Sequence, residues 1–323
     1  MHLKIIQYLK SAEGFVSGED ISRELGVSRS AVWKCIEDLR QEGYKVEAVP
    51  HHGYKLAALP DRLIAWEVQH NLGTRKFGCA VHHFAEIGST MDEAFRLGMS
   101  GAPEGTVVAA ELQTKGRGRL GRAWVSPGGS GLYFSLLLRP KLSTAEAARL
   151  TLLSSVALSE AVEKCSGVSA LIKWPNDLLL GGRKLAGILT ELRAEVDRVD
   201  FAVVGIGLNV NTAHKELPPE ATSLKNESGQ GYSRVAILQE FLRTFERRYL
   251  VLAKQGFGPA LEEWRKRSAT IGRRVRFEER GHKFEGLATG LADDGGLMVQ
   301  LDNKQTVKRM AGDVIVELKD KKV

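Results

Sequence analysis

The chain has 323 residues, 43% hydrophobic and 26% charged, a globular composition long enough for two or three domains with at least one sizeable core. A net charge of +7 and a pI near 9.2 favour a polyanionic partner without separating nucleic acid from ATP. The three cysteines, Cys35, Cys79 and Cys165, lie far apart without C-x-x-C spacing and point to neither a disulfide framework nor a zinc site. No apolar run approaches the roughly 18 residues of a membrane span, so a cytoplasmic protein with no membrane partner is expected.

Residues 1–12 place Leu3, Ile6 and Leu9 on one face of a short helix. Ser17 and Asp20 form a capping box that starts a second helix, Ile21 and Leu25 face its core, and Gly26 ends it. Ser28 caps a third helix whose Val32, Ile36 and Leu39 recur at i, i+4 and i+7, which completes a helix-turn-helix. Arg29, Ser30 and Lys34 fall on the outward side near its N-terminal end, where a recognition helix meets base edges and phosphates. Lys45 and Val46, then residues 54–56, flank a Pro50, His51, His52, Gly53 turn and read as the wing of a winged helix. The competing reading is a three-helix bundle used for protein contacts; the capped, glycine-turned spacing favours DNA. His51 and His52 read as a polar wing tip, since no further ligands cluster with them.

Residues 58–62, with Pro60, mark the boundary to a larger domain. Residues 81–87 read as a strand, after which Ser89 caps a helix carrying Ala94, Phe95 and Leu97. Two apolar runs, 106–112 and 131–138, predict buried strands joined by a long loop. In that loop Gly116, Gly118 and Gly121 alternate with Arg117, Arg119 and Arg122, just after Lys115. Glycine lets successive backbone N–H groups converge on one centre, and each guanidinium brings a planar fork, so the loop suits an anion; a merely solvated basic tract is the bland alternative. A Walker spacing is absent. Residues 144–164 predict a long helix across the sheet.

Lys173 then ends a strand, Pro175 breaks it, and Asn176 and Asp177 offer polar groups at its mouth. A turn at Gly181 and Gly182 leads to Arg183, Lys184 and a strand over 185–192, in which Gly187 leaves room beside the backbone; Lys184 is expected beside Lys173 across this hairpin. Another apolar strand spans 201–210, and its Gly205, Gly207 and Asn209 suggest a ligand against one face, though the dinucleotide fingerprint is incomplete. Ser233 caps a helix to about residue 254, and a second covers 259–268. From 271 to 319 short strands with turns at Arg280 with Gly281 and at Asp294, Gly295 and Gly296 predict a small β-barrel.

Four stretches, GSTMDEA from Gly88, QTKGRGRLGRAW from Gln113, KWPNDLLLGGRKLAGIL from Lys173 and GIGLNVN from Gly205, stand in the order found in bacterial biotin protein ligases of the bifunctional BirA kind, and the chain resembles that family over essentially its whole length. The resemblance implies an α+β protein in three parts: a winged helix-turn-helix over 1–60, a mixed-sheet ligase domain related to class II aminoacyl-tRNA synthetases over 61–270, and a small β-barrel over 271–323. It implies biotin and ATP as substrates with Mg2+, a carrier-protein lysine as acceptor, operator DNA, and a homodimer when the adenylate is bound. Ser89, Thr90 and Gln113 would hold the biotin rings, while Arg117, Gly118 and Arg119 would line the loop closing over biotin and adenylate. Lys184, with Arg119 the expected catalytic pair, would reach the carboxylate and the α-phosphate. Trp124 would border the adenine, with Lys173, Asn176 and Asn209 nearby. Where the family pattern has asparagine after the Ser-Thr pair, this chain has Met91, so a side-chain hydrogen bond is not expected there. The rival readings are a small-molecule-sensing repressor without chemistry and a lipoate ligase.

Overall fold

The computed structural model describes residues 1–279, 281–310, 312 and 314–317, so Arg280 of the expected turn and residues 311, 313 and 318–323 of the expected barrel lie outside the described residues. The chain forms two compact units, Met1–Arg62 and Leu63–Val323.

The first unit has helices α1 (His2–Ser11), α2 (Gly18–Leu25) and α3 (Arg29–Gln41) and an antiparallel hairpin of β1 (Lys45–Val49) and β2 (Gly53–Ala58). The caps are those legible in the sequence. Ser17 Oγ accepts from the Asp20 N–H at 3.0 Å and donates to its carboxylate at 2.7 Å, Gly26 closes α2 in the left-handed region, and Ser28 Oγ accepts from Ala31 at 3.2 Å. Ile5, Ile6, Leu9, Ile21, Val32, Cys35, Ile36 and Leu39 are buried together. Leu3, expected in that core, is 44% exposed, because Ile5 lies on the inward side of α1 in its place. Gly53 permits the wing to cross the stretch before α2: Val16 and Tyr54 exchange two 2.8 Å backbone hydrogen bonds, and a Cβ at Gly53 would stand 2.0 Å from Val16 O.

The second unit begins with α4 (Ala65–Gln69), β3 (Val81–Ile87), α5 (Thr90–Met99), β4 (Val107–Gln113), β5 (Leu132–Leu138) and α6 (Ala148–Ser166). It continues with β6 (Leu171–Lys173), β7 (Asp177–Leu180), β8 (Arg183–Glu195) and β9 (Arg198–Leu208). Helices α7 (Leu224–Ser228), α8 (Arg234–Gln255) and α9 (Gly258–Lys266) follow. The helix expected from 144 starts as a 3-10 turn, Thr144–Glu146, and becomes α-helical only at Ala148, since Ser143 and Glu146 close a capping box around that turn.

Strands β3 to β9 form one mixed sheet in the order β3-β4-β5-β9-β8-β7-β6, with β3 and β4 parallel and the other pairs antiparallel. The period of two divides its faces. Phe134, Leu136, Ala202, Val204 and Ile206 join the large core with α6, α8 and α9, whereas Leu137, Phe201 and Val203 pack with Met91 and Ala94 of α5. Along β9 the α5 face reads Phe201, Val203, Gly205, Gly207: apolar where the helix covers it, glycine beyond.

Strands β10 (Arg274–Glu279), β11 (His282–Leu291), β12 (Leu297–Leu301), β13 (Thr306–Arg309) and β14 (Ile315–Val316) form a second sheet in the order β13-β12-β11-β10-β14. Among the described residues its two outer strands do not pair with each other, so the expected barrel is a five-stranded sheet in which no closure is seen.

Candidate active site

The glycine-lined face of the sheet opens into a cavity of about 410 Å³. All four of the sequence motifs meet there: Thr90 and Met91 at the start of α5, the basic loop after β4, the turn and hairpin from Lys173 to Gly187, and the end of β9. Register explains the floor. Gly187 of β8 pairs with Gly207 of β9, and Gly205 lies between Leu189 of β8 and Ser135 of β5. Without side chains, these positions let other groups lie on the backbone. A Cβ at Gly207 would come within 2.3 Å of the Trp124 indole, and one at Gly205 within 2.3 Å of Met91 Sδ. The space inferred for a ligand is therefore shared with two side chains of the protein, and Met91, 3% exposed, closes its inner end.

Thr90, Gln113, Arg117, Gly118, Arg119, Trp124, Lys173, Asn176, Lys184 and Asn209 all line this cavity. Ser89 does not: it is buried as the N-cap of α5, its Oγ accepting from the Met91 N–H at 3.2 Å. Gln113 is fixed at both ends, its Oε1 accepting from Thr90 N at 2.9 Å and Thr90 Oγ1 at 3.1 Å, its Nε2 donating to Ser126 Oγ at 3.0 Å. The inner wall is thus ordered in advance by neutral hydrogen bonds.

The loop is a small hairpin. Gly118 N–H donates to Arg122 O at 2.7 Å, Arg122 N–H to Arg119 O at 3.1 Å and Trp124 N–H to Gly116 O at 2.9 Å. These three amides are spent within the loop, so the expected convergence of N–H groups on one anion is not what they form; the positive charge comes from side chains. Arg117 pairs with Asp92 and Glu191, tying the loop to α5 and β8. Arg119 reaches across the cavity to donate to Asn176 Oδ1 at 2.8 Å, while Asn176 Nδ2 donates to Ile188 O at 2.9 Å.

Lys184 does not lie beside Lys173. Strand β7 runs between them, with Lys173 opposite Asp177 and Lys184 opposite Leu179 after a register shift. The nearest partner of Lys184 is instead the Asp177 carboxylate at 2.8 Å, and its amine stands 5.5 Å from the centre of the Trp124 ring. Asp177 was legible only as a polar residue at the strand's mouth; the pairing depends on the bulge. The main chain of Lys184 holds a wall in place, donating to Glu220 O at 2.9 Å and accepting from Thr222 N at 2.9 Å, so that Leu217, Pro218 and Ala221 face the cavity. Ile315 and Val316 of β14 also border it. Nothing in the local sequence of either segment signalled that placement. Trp174, after which the peptide bond to Pro175 is cis, anchors the turn by donating from Nε1 to Gly295 O at 3.1 Å.

Three polar atoms at the site, Trp124 Nε1, Asn209 Oδ1 and Asp177 Oδ1, are buried without a hydrogen-bond partner among the described residues, though Asp177 Oδ1 is already engaged in the ion pair with Lys184. Asn209 Nδ2 is held by Thr222 O at 3.0 Å. One donor and one acceptor thus remain for a bound group. Among the described residues no three His, Cys, Asp or Glu side chains gather as a metal site.

Behind the floor, Glu111 of β4 accepts from Leu63 N at 2.9 Å and contacts His83 Nε2 at 3.1 Å through one oxygen, and accepts from Arg234 Nη1 at 2.7 Å through the other. Burial alone would raise its carboxyl, but the His83 contact, the Arg234 charge and the Leu63 N–H outweigh burial and hold it down at about 2.

Cavity and sheet together define a ligase of the biotin and lipoate class carried behind a helix-turn-helix. Residues 84–209 match the biotin/lipoate A/B protein ligase family, residues 2–55 an HTH domain and residues 270–316 the biotin protein ligase C terminal domain. The bifunctional ligase/repressor BirA of Bacillus spizizenii is 41% identical over 94% of this chain and 94% of its own, and that of Escherichia coli 32% identical over 93% and 92%. The structure of biotin protein ligase from Aquifex aeolicus in complex with biotin and ATP superposes with a TM-score of 0.63 at 30% identity, covering 74% of this chain and 98% of that one. The chain belongs to the BirA family of bifunctional ligase/repressors.

Proposed function

We propose that the second unit joins biotin to ATP, giving biotinyl-5′-AMP and pyrophosphate, and passes the biotinyl group to a lysine of a biotin carboxyl carrier protein, while the first unit binds operator DNA as a biotin-responsive repressor. The observation that carries this reading is the single cavity in which Thr90 and Gln113 form a neutral inner end and Arg119, Lys173 and Lys184 a cationic outer one. A bicyclic urea with an apolar ring suits the first, and a carboxylate meeting a triphosphate suits the second. In the first step the biotin carboxylate oxygen bonds to the α-phosphorus as pyrophosphate leaves. Lys184 and Arg119 offset the repulsion between the two anions and stabilise the charge that develops between them. Asp177 positions the Lys184 amine, and Asn176 does the same for Arg119. In the second step the neutral carrier amine attacks the acyl carbon, AMP leaves, and the amine's proton passes to solvent.

Trp124 and Asn209, with one free donor and one free acceptor, suit the adenine; Ser89 acts through the orientation of α5. Magnesium would come on the triphosphate oxygens and supply charge neutralisation there, since the protein brings no resident carboxylate cage among the described residues. The finer architecture belongs to the same proposal: a winged-helix domain over 1–60, a synthetase-like ligase domain over 61–270, a small barrel over 271–323, and a homodimer when the adenylate is bound. Among the described residues no helix is long and apolar enough to cross a membrane, and a cytoplasmic site of action fits the reading.

Biotin-dependent exchange of labelled pyrophosphate into ATP tests the chemistry. Exchange with biotin and none with lipoate is expected; exchange with neither would leave a sensor without chemistry, and exchange with lipoate alone would move the chain to the other branch.

A further inference from the structure

The recognition-type helix carries one aromatic residue that neither its core nor the ligase site employs. Val32, Cys35, Ile36 and Leu39 supply the buried stripe of α3, all at most 1% exposed. Trp33 follows Val32, about 100° further round the helix, and is 58% exposed. It shares the outward side with Arg29, Ser30 and Lys34, all exposed. The carboxylates later in the helix are engaged elsewhere, Glu37 with Arg40 at 2.6 Å and Asp38 with His2 at 3.3 Å. Among the described residues neither Arg29 nor Lys34 has an ion-pair partner. The first turns of α3 therefore present two cations, a hydroxyl, a broad apolar ring and the positive end of a capped helix.

A lone apolar side chain on a surface is ordinary and by itself implies nothing. Framed by two cations at the start of the second helix of a helix-turn-helix, it stands where such a helix meets base edges, and the charge selects a polyanion. An indole cannot make the bidentate hydrogen bonds by which arginine or asparagine reads a base. Its ring face can cover the one apolar group that the major groove displays, the 5-methyl of thymine. We infer that Trp33 is a specificity-determining residue of the DNA interface, covering a thymine methyl in each half-site while Arg29 and Lys34 hold phosphates beside it. This rests on the DNA-binding reading proposed above and adds to it the group that is read.

The test uses the full chain with biotin and ATP present. Preferred duplexes are selected from a random pool. Binding is then measured for the wild type, Trp33→Ala, Trp33→Phe and Lys34→Ala on the best duplex, on copies in which each thymine in turn becomes deoxyuridine, and on an unrelated duplex. For the wild type, one thymine per half-site should be methyl-sensitive, with affinity falling about fourfold for each methyl removed. Trp33→Ala should bind the selected duplex more weakly and ignore that methyl, with unchanged affinity for the unrelated duplex and an unchanged salt dependence. Trp33→Phe should keep part of the response. Lys34→Ala should instead weaken both duplexes alike and flatten the salt dependence. A wild type indifferent to every thymine methyl, or a Trp33→Ala protein as methyl-sensitive as the wild type, overturns the assignment. A wild type that selects no duplex at all overturns the DNA-binding reading beneath it, a failure distinguishable from the first two. If Trp33→Ala loses helicity, the wild-type deoxyuridine series and Trp33→Phe decide.

Discussion

Glu111→Gln should destabilise the second unit by about 3 to 5 kcal/mol at pH 7, the usual cost of breaking a buried ion pair from one side. Two features of the structure set the magnitude. The Arg234 guanidinium side is only 2% exposed and would keep its charge after losing the Glu111 carboxylate, and the Glu111 side chain is itself only 12% exposed, so solvent screens the pair little. Independently, the carboxyl is held at about 2 against an ordinary 4.5, a difference worth roughly 3 kcal/mol at about 1.4 kcal/mol per tenfold change in proton affinity. Because folding lowers this pKa, the contribution is complete above pH 4.5 and is lost as pH falls toward 2. At pH 3 it should have shrunk to about 1 kcal/mol. Urea unfolding of wild type and variant at both pH values, followed through the buried Trp174 and Trp264, measures the gap. A deficit under about 1 kcal/mol at pH 7, or one as large at pH 3 as at pH 7, would refute the reasoning, since either outcome means that the charge of Glu111 is not what Arg234 requires.

The other expectations concern the cavity and the first unit. Lys184→Ala should slow adenylate formation by about 2.7 to 4 kcal/mol in barrier, read by pyrophosphate exchange, and leave operator binding by the first unit intact; normal exchange would remove Lys184 from the chemistry. Arg119→Gly breaks the contact with Asn176 and loosens the loop, so adenylate should still form but dissociate faster and acylate bystander lysines; wild-type retention of adenylate would deny Arg119 a closing role. Gly207→Ala puts a Cβ within 2.3 Å of the Trp124 ring and should displace it, weakening nucleotide binding by about 1 to 3 kcal/mol, the worth of one base–aromatic stack, as titration calorimetry would show. Arg29→Ala with Lys34→Ala should abolish operator binding in a gel-shift assay while ligation continues at the wild-type rate.

The parts of this protein legible in the residues are those governed by neighbours in the chain. Ser17, Gly26 and Ser28 bracket the helices of the first unit because a cap satisfies backbone groups only two or three residues away. The buried strands around the basic loop were equally plain, since all seven residues of β5 are apolar or small and lie inside a sheet covered on both faces. The same local logic located the glycines of β8 and β9 and the arginines of the loop. It could not say what those residues meet. Whether Lys184 faces Lys173 or Asp177 turns on a one-residue register shift between β7 and β8, whose cause lies in packing across the whole sheet. That Met91 and Trp124 lie over Gly205 and Gly207, and that Ile315 and Val316 reach the same cavity, depends on strands brought together from positions far apart in the chain. Residue types and their spacing therefore determined the kind of chemistry, because charge and hydrogen-bonding capacity belong to each side chain wherever it lies. Only tertiary structure decided the partners, because sheet order and register follow from which arrangement buries the most apolar surface with every backbone group satisfied, a property of no single segment.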